Sequence, residues 1–168
     1  MKKLFILFFS LIIFSFSFAE AIYLEGVDTQ RIKNILLNDG FKLKEMDDYY
    51  FFEKRNGKFE QRVDIYFSDK RPYDINIVSY HFHVKPEQAV IKKELDKITQ
   101  KISNEIENKL LKDKMIKVLD EMPATTPKIR PGNMDDLEKV NKYYEVGDYS
   151  IRTSNMETEK SITISCDQ

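Results

Sequence analysis

The sequence predicts an α+β fold made of a short N-terminal helix, an antiparallel meander, one long helix packed on the sheet and a C-terminal hairpin. Two hydrophobic patterns and one proline-rich stretch support this prediction. Residues 59–68 alternate between apolar and polar side chains, which is typical of a strand with one buried face. Residues 86–122 repeat apolar side chains every three or four positions, as a helix with one buried stripe does. Residues 123–132 are rich in proline and interrupt regular structure.

The first 21 residues are typical of a secretory signal peptide, which is removed from the mature protein. Lys2 and Lys3 precede an apolar run from Leu4 to Phe18, and Ala19 and Ala21 are the small residues that a signal peptidase recognises. The run is shorter than the roughly 20 residues that a helix needs to cross a bilayer. We therefore expect cleavage after Ala21, a periplasmic or secreted protein, and no transmembrane span in the mature chain.

Residues 22–168 are expected to form a single α+β domain, because this length suffices for one core but not for two full-sized ones. The formal net charge is −1, and the basic and acidic residues are well mixed. Nucleic acids and anionic membranes select a concentrated basic face, so neither is an expected partner. Cys166 is the only cysteine. We expect a buried, inert thiol there, with an intermolecular disulfide as the alternative.

Residues 22–85 are predicted to form the short helix and a three-stranded meander. Asp28 is placed to cap the start of the helix, and Gly40 supplies its left-handed end. The three strands cover residues 41–55, 59–68 and 73–84, and Asn56 and Gly57 are predicted to form the hairpin loop between the first two.

This loop sets a register that assigns each side chain to a face of the sheet. Phe52 lies opposite Gln61 on the core face, whereas Phe51 lies opposite Arg62 on the other face. The second face then carries aromatic rings on the side that the partner strand marks as polar. Such a face is either covered or binds something. The predicted partner surface consists of Tyr49, Phe51, Arg62 and Tyr66.

Residues 86–122 are predicted to form one helix that opens at Pro86, a favoured first helical residue. A straight helix of this length would extend roughly 55 Å, which exceeds what a sheet of such strands would cover. Three interpretations stay open. The helix breaks near Asn104–Asn108 or Lys112–Lys114, it projects, or its outer half pairs with a second copy to form a homodimer.

The remaining residues are interpreted as a connection and a closing element. Residues 123–132 form the Pro-rich linker, and residues 133–168 contain the C-terminal hairpin. Its strands are predicted at Tyr143–Arg152 and Lys160–Cys166. Whether this hairpin joins the first sheet stays open.

His81 and His83 are the only histidines, and they lie two positions apart on a predicted strand. That spacing places both imidazoles on one face, as two metal ligands would be. A tight zinc site needs further ligands, and the sequence offers no spaced carboxylate or thiolate that completes the set. The alternative is two polar residues on the solvent side of the strand.

No catalytic constellation and no cofactor-binding motif can be identified, so an enzyme is not the favoured interpretation. The sequence favours an exported, non-enzymatic binding or interaction module of the bacterial envelope, whose partner is a protein or another envelope component. The alternative function is a periplasmic metal-binding protein that uses His81 and His83.

Overall fold

The computed structural model describes residues 23–82, 87–130 and 134–166, and it confirms the α+β class. The predicted signal peptide lies outside the described residues. No helix within them is both long and apolar enough to cross a membrane. The helices are α1 Thr29–Asn38, α2 Gln88–Ser103, α3 Lys109–Glu121 and α4 Met134–Val140, and the strands are β1 Lys42–Glu45, β2 Tyr49–Asn56, β3 Phe59–Ser68, β4 Arg71–His81, β5 Asn141–Val146, β6 Tyr149–Asn155 and β7 Glu159–Cys166.

The strands form one seven-stranded antiparallel sheet in the order β1-β2-β3-β4-β7-β6-β5. The pairing of β4 with β7 joins the N-terminal and C-terminal strands, which settles the question that the sequence left open. The predicted three-stranded meander and two-stranded hairpin each contain one further strand. Met46 donates its backbone N–H to the carbonyl of Tyr49 in a turn that divides the first predicted strand. In the C-terminal hairpin, Gly147, with φ +63°, divides the predicted strand Tyr143–Arg152 at the β5–β6 turn.

The β2–β3 register differs by two residues from the predicted one. Asn56 pairs with Phe59, so the two loop residues are Gly57 and Lys58, and Phe52 lies opposite Val63. A shift of two residues keeps every side chain on its predicted face, because strand side chains alternate with period two.

The predicted long helix matches the structure in part: most of its residues are helical, but the chain breaks between α2 and α3 at Asn104–Asn108, the first of the two places proposed. At the break, the backbone N–H of Glu107 donates to the carbonyl of Gly26, and Ile106 forms an isolated bridge with Val27. The Asn108 side chain then accepts from the N–H of Leu111 and caps α3. The predicted helix start at Pro86 lies outside the described residues.

Both helices pack on the core, so the interpretation in which half of the helix projects does not apply to the described residues. The break also changes which side chains are buried. Leu110 continues the apolar stripe of the sequence but is 66% exposed, whereas its neighbour Leu111 is fully buried. The projecting half was the reason for expecting a homodimer through this helix, and that reason is removed.

One side of the sheet and the helices share a single apolar core. The sheet contributes alternate residues from its strands, and these are fully buried. We call this side of the sheet the inward face and the opposite side the open face. The inward face includes Phe52, Val63, Ile65, Ile75, Ile77, Ile151, Ile162 and Ile164.

Candidate functional site

The open face is the candidate functional site, because the helices in the described residues send their buried side chains to the inward face. The open face consists of the residues that alternate with the core residues along the strands. All four residues of the predicted partner surface lie on it: Tyr49 and Phe51 on β2, and Arg62 and Tyr66 on β3.

Aromatic rings and the guanidinium of Arg62 form a cluster on the β2–β4 part of the open face. Tyr49 and Tyr66 are cross-strand partners, and their rings stack with centroids 5.6 Å apart at an interplanar angle of 23°. The Arg62 guanidinium lies 4.9 Å from the centroid of Phe51 and 5.9 Å from that of Tyr80. Both distances are within the range of a cation–π interaction. The predicted residues therefore form one cluster, which Tyr80 extends.

A polar network on β3, β4 and β7 fixes the side chains beside this cluster. The Asp64 carboxylate, 2% exposed, accepts hydrogen bonds from Arg62 at 3.3 Å and from the Asn76 amide at 3.4 Å. The Thr163 hydroxyl donates to Asn76 Oδ1 at 3.0 Å. Arg62 also donates to the Tyr80 hydroxyl at 3.4 Å. These contacts hold Arg62 in place before any partner arrives.

Three carboxyl groups of the open face have a raised pKa. Burial raises the pKa of Asp64, although Arg62 and Asn76 oppose the shift. Burial likewise raises the pKa of Asp74, which accepts a hydrogen bond from Ser165 at 2.7 Å. The pKa of Glu159 is raised by burial as well. This part of the face therefore combines partly desolvated acids with aromatic rings.

The β5–β7 part of the open face has a different composition and contains a depression of about 270 Å³. Two cations are among the described residues that line it: Lys142, which alternation places on the inward side of β5, and Arg152 on the open face, whose guanidinium lies 5.6 Å from the centroid of Tyr143. The other open-face residues of the lining carry amide or hydroxyl groups: Asn141, Ser154, Ser161 and Thr163.

Of the two histidines of the alternative metal site, only His81 lies within the described residues. His83 lies outside the described residues. His81 is half-buried, packs its ring 4.4 Å from that of Phe59, and shares the inward side of β4 with Ile77 and Ser79. The alternative interpretation, which placed both histidines on the solvent side of the strand, was therefore wrong for His81. No group of three or more potential metal ligands occurs in the described residues.

Sequence reasoning missed the acids and the depression for different reasons. Asp64 and Arg62 are two apart on one strand, so period two could have identified them as neighbours. The depression forms only because β5, β6 and β7 pair, and the position of these strands in the sheet was left open.

Cys166 is 8% exposed and lies on the inward side with Ile162 and Ile164.

Comparison of the chain with models of known protein families, with curated proteins and with solved structures found no match.

Proposed function

We propose that this chain is an exported, non-enzymatic binding module that holds a protein partner through the β2–β4 part of its open face. The observation behind this proposal is the cluster of Tyr49, Phe51, Arg62 and Tyr66 on the side of the sheet opposite the helices. Tyrosine, phenylalanine and arginine are the residue types enriched at protein interfaces.

The rigidity of the cluster also supports binding. Stacking of Tyr49 on Tyr66 and the hydrogen bonds from Arg62 to Asp64 and Tyr80 restrict these side chains in the free protein. Side chains that are already ordered lose less conformational entropy when a partner binds. A partner with apolar and hydrogen-bonding groups would contact the rings and the remaining guanidinium N–H groups together.

Export is the second element of the proposal and rests on the sequence of residues 1–21. We expect the protein recovered from cells to begin at Ile22 and to be found in the periplasm or the medium. Sequencing its N-terminus after cell fractionation tests this. A cytoplasmic protein that begins at Met1 would contradict it.

Site-specific photo-crosslinking tests the binding surface. Phe51 is replaced by a photoreactive phenylalanine analogue, and the exported protein is irradiated in intact cells. We expect a discrete crosslinked species from position 51. The matched control carries the same analogue at position 110, because Leu110 is 66% exposed and lies on α3, in the helical layer.

The double variant Tyr49→Ser/Phe51→Ser completes the test. It should retain the circular dichroism spectrum of the wild type and should abolish crosslinking from a third position on the open face, Tyr66. Equal crosslinking from positions 51 and 110, or crosslinking that persists in the folded double variant, would show that this surface is not the binding site.

A further inference from the structure

We propose that the depression on β5–β7 is a binding site for a small carboxylate ligand, with Arg152 as its anion-binding residue. The inference extends the proposed function, because it assigns a second site on the same open face to a ligand of a different kind. Two observations support it: the charge of the lining and the size of the depression.

The lining is built to accept negative charge. Among the described residues, no aspartate or glutamate lines the depression, and Arg152 forms no ion pair there. Asp74 interacts with Arg152 electrostatically, and its carboxylate accepts a hydrogen bond from Ser165; no salt bridge joins Asp74 to Arg152 among the described residues. Arg152 is exposed, and it lies on the open face.

The neighbouring groups suit an oxyanion. Ser154 and Ser161 contribute hydroxyl donors, and Asn141 contributes an amide. A planar guanidinium donates two parallel hydrogen bonds to a carboxylate, and such charge-assisted bonds are about twice as strong as neutral ones. The ring of Tyr143 beneath Arg152 restricts the orientation of the guanidinium.

The size of the depression limits the ligand. Its volume of about 270 Å³ lies just below the roughly 300–1,000 Å³ that is common for small-molecule sites. A carboxylate with a few carbon atoms fits this volume. The one guanidinium on the open face matches the two oxygens of a carboxylate group; phosphate, which a guanidinium also binds, is the competing ligand that the test includes.

Nuclear magnetic resonance titration of the exported protein tests the proposal. Sodium succinate is added at low ionic strength, because salt screens an exposed cation. We expect saturable shifts of the backbone amides of Ser154, Ser161 and Thr163. Succinamide, which has the same size without charge, should cause none, and acetate should bind the same residues more weakly.

Two arginine variants separate a site from general charge effects. Arg152→Gln should weaken succinate binding about tenfold or more, because it removes the charge-assisted hydrogen bonds. The matched control is Arg55→Gln, since Arg55 is exposed on the same face but is paired with Glu53 and Glu60. The control should leave the titration unchanged.

The results also distinguish this site from the partner surface. Tyr49→Ser/Phe51→Ser should leave succinate binding intact even if crosslinking from position 51 never succeeds. Shifts that stay linear in succinate, equal binding by Arg152→Gln, or phosphate binding at least as tightly as succinate would overturn the carboxylate assignment.

Discussion

The inward and open faces of the sheet are formed by the same strands, one residue apart, yet they have opposite chemistry. On β4, Ile75 and Ile77 are fully buried in the core, whereas Asp74 and Asn76 belong to the hydrogen-bonded network of the open face. The inward face stabilises the fold by removing apolar surface from water. The open face is therefore able to carry charged and aromatic groups whose identity the core does not dictate.

Truncation of the inward face should have the largest effect on stability. Ile77 lies between Val63 and Ile162 and is fully buried, so Ile77→Ala removes apolar contacts and leaves a cavity. We expect the free energy of unfolding in urea to fall by about 2–5 kcal/mol. Asn76→Ala, one residue away on the open face, is the control and should cost clearly less. Equal losses of unfolding free energy would contradict the conclusion that the inward face is the main source of stability.

Lys160 is the exception on the inward face, and its replacement should be stabilising. Its side chain is fully buried, donates to Asn155 Oδ1, and lies near Lys92, which pairs with Asp96 on α2. Burial, reinforced by Lys92, lowers the pKa of Lys160 from 10.5 to about 8. Folding therefore releases a proton between about pH 8 and 10.5, so this group makes the wild type more stable as pH rises through that window.

We expect Lys160→Met to raise the free energy of unfolding at pH 7 by about 2 kcal/mol, because the cost of burying the charge, about 3 kcal/mol, is partly offset by loss of the hydrogen bond to Asn155. The gain should shrink towards pH 10, where the wild-type amine is neutral. Urea unfolding at both pH values measures this. Lys117→Met is the control, because Lys117 is 67% exposed and should show no such pH dependence. A gain for Lys160→Met that is independent of pH would mean that its amine is not desolvated.

Arg62→Met tests whether the network of the open face also contributes to stability. The change leaves the buried Asp64 carboxylate without its cation, and we expect a loss of about 1–3 kcal/mol at pH 7. The loss should decrease towards pH 4, because the folded state protonates Asp64 readily once its pKa is raised further. Asp64→Asn in the same background should restore part of the stability. No recovery would indicate that Arg62 acts through packing alone.

The smallest effect is expected at the edge of the same network. Thr163→Val removes the hydroxyl that donates to Asn76 Oδ1, at nearly constant volume. We expect a loss of about 0.5–1.5 kcal/mol in urea unfolding, the usual net value of one hydrogen bond. Thr158→Val, at an exposed position before β7, serves as the control. A loss above that of Arg62→Met would reverse the order proposed for the network.

The assignment of β2 and β3 residues to the two faces could be predicted from the sequence, because alternation is a local property, whereas on β4 it failed for His81. The register was shifted by two residues, yet Phe51 and Arg62 stayed on the open face and Phe52 on the inward face. The helix break was harder to identify, since Ile106 and Leu110 continue the apolar spacing across it. The break depends on a contact with Gly26, which no local pattern reveals.

The position of the C-terminal strands could not be predicted for the same physical reason. Pairing of Asp74 with Ser165 joins residues 91 apart in sequence, and nothing near either residue specifies its partner. The β5–β7 part of the open face, including the depression at Arg152, was therefore not predicted.

The pairing of β4 with β7 also determines when the protein is able to fold. Its paired residues Asp74 and Ser165 are 91 positions apart, so the two halves of the sheet cannot associate until β7 has been synthesised. This step is also slow, because the chain between β4 and β7 must close as a long loop before their contacts form. If the chain is exported as proposed, this delay would keep the polypeptide unfolded during transit, and the finished sheet would assemble only on the far side of the membrane.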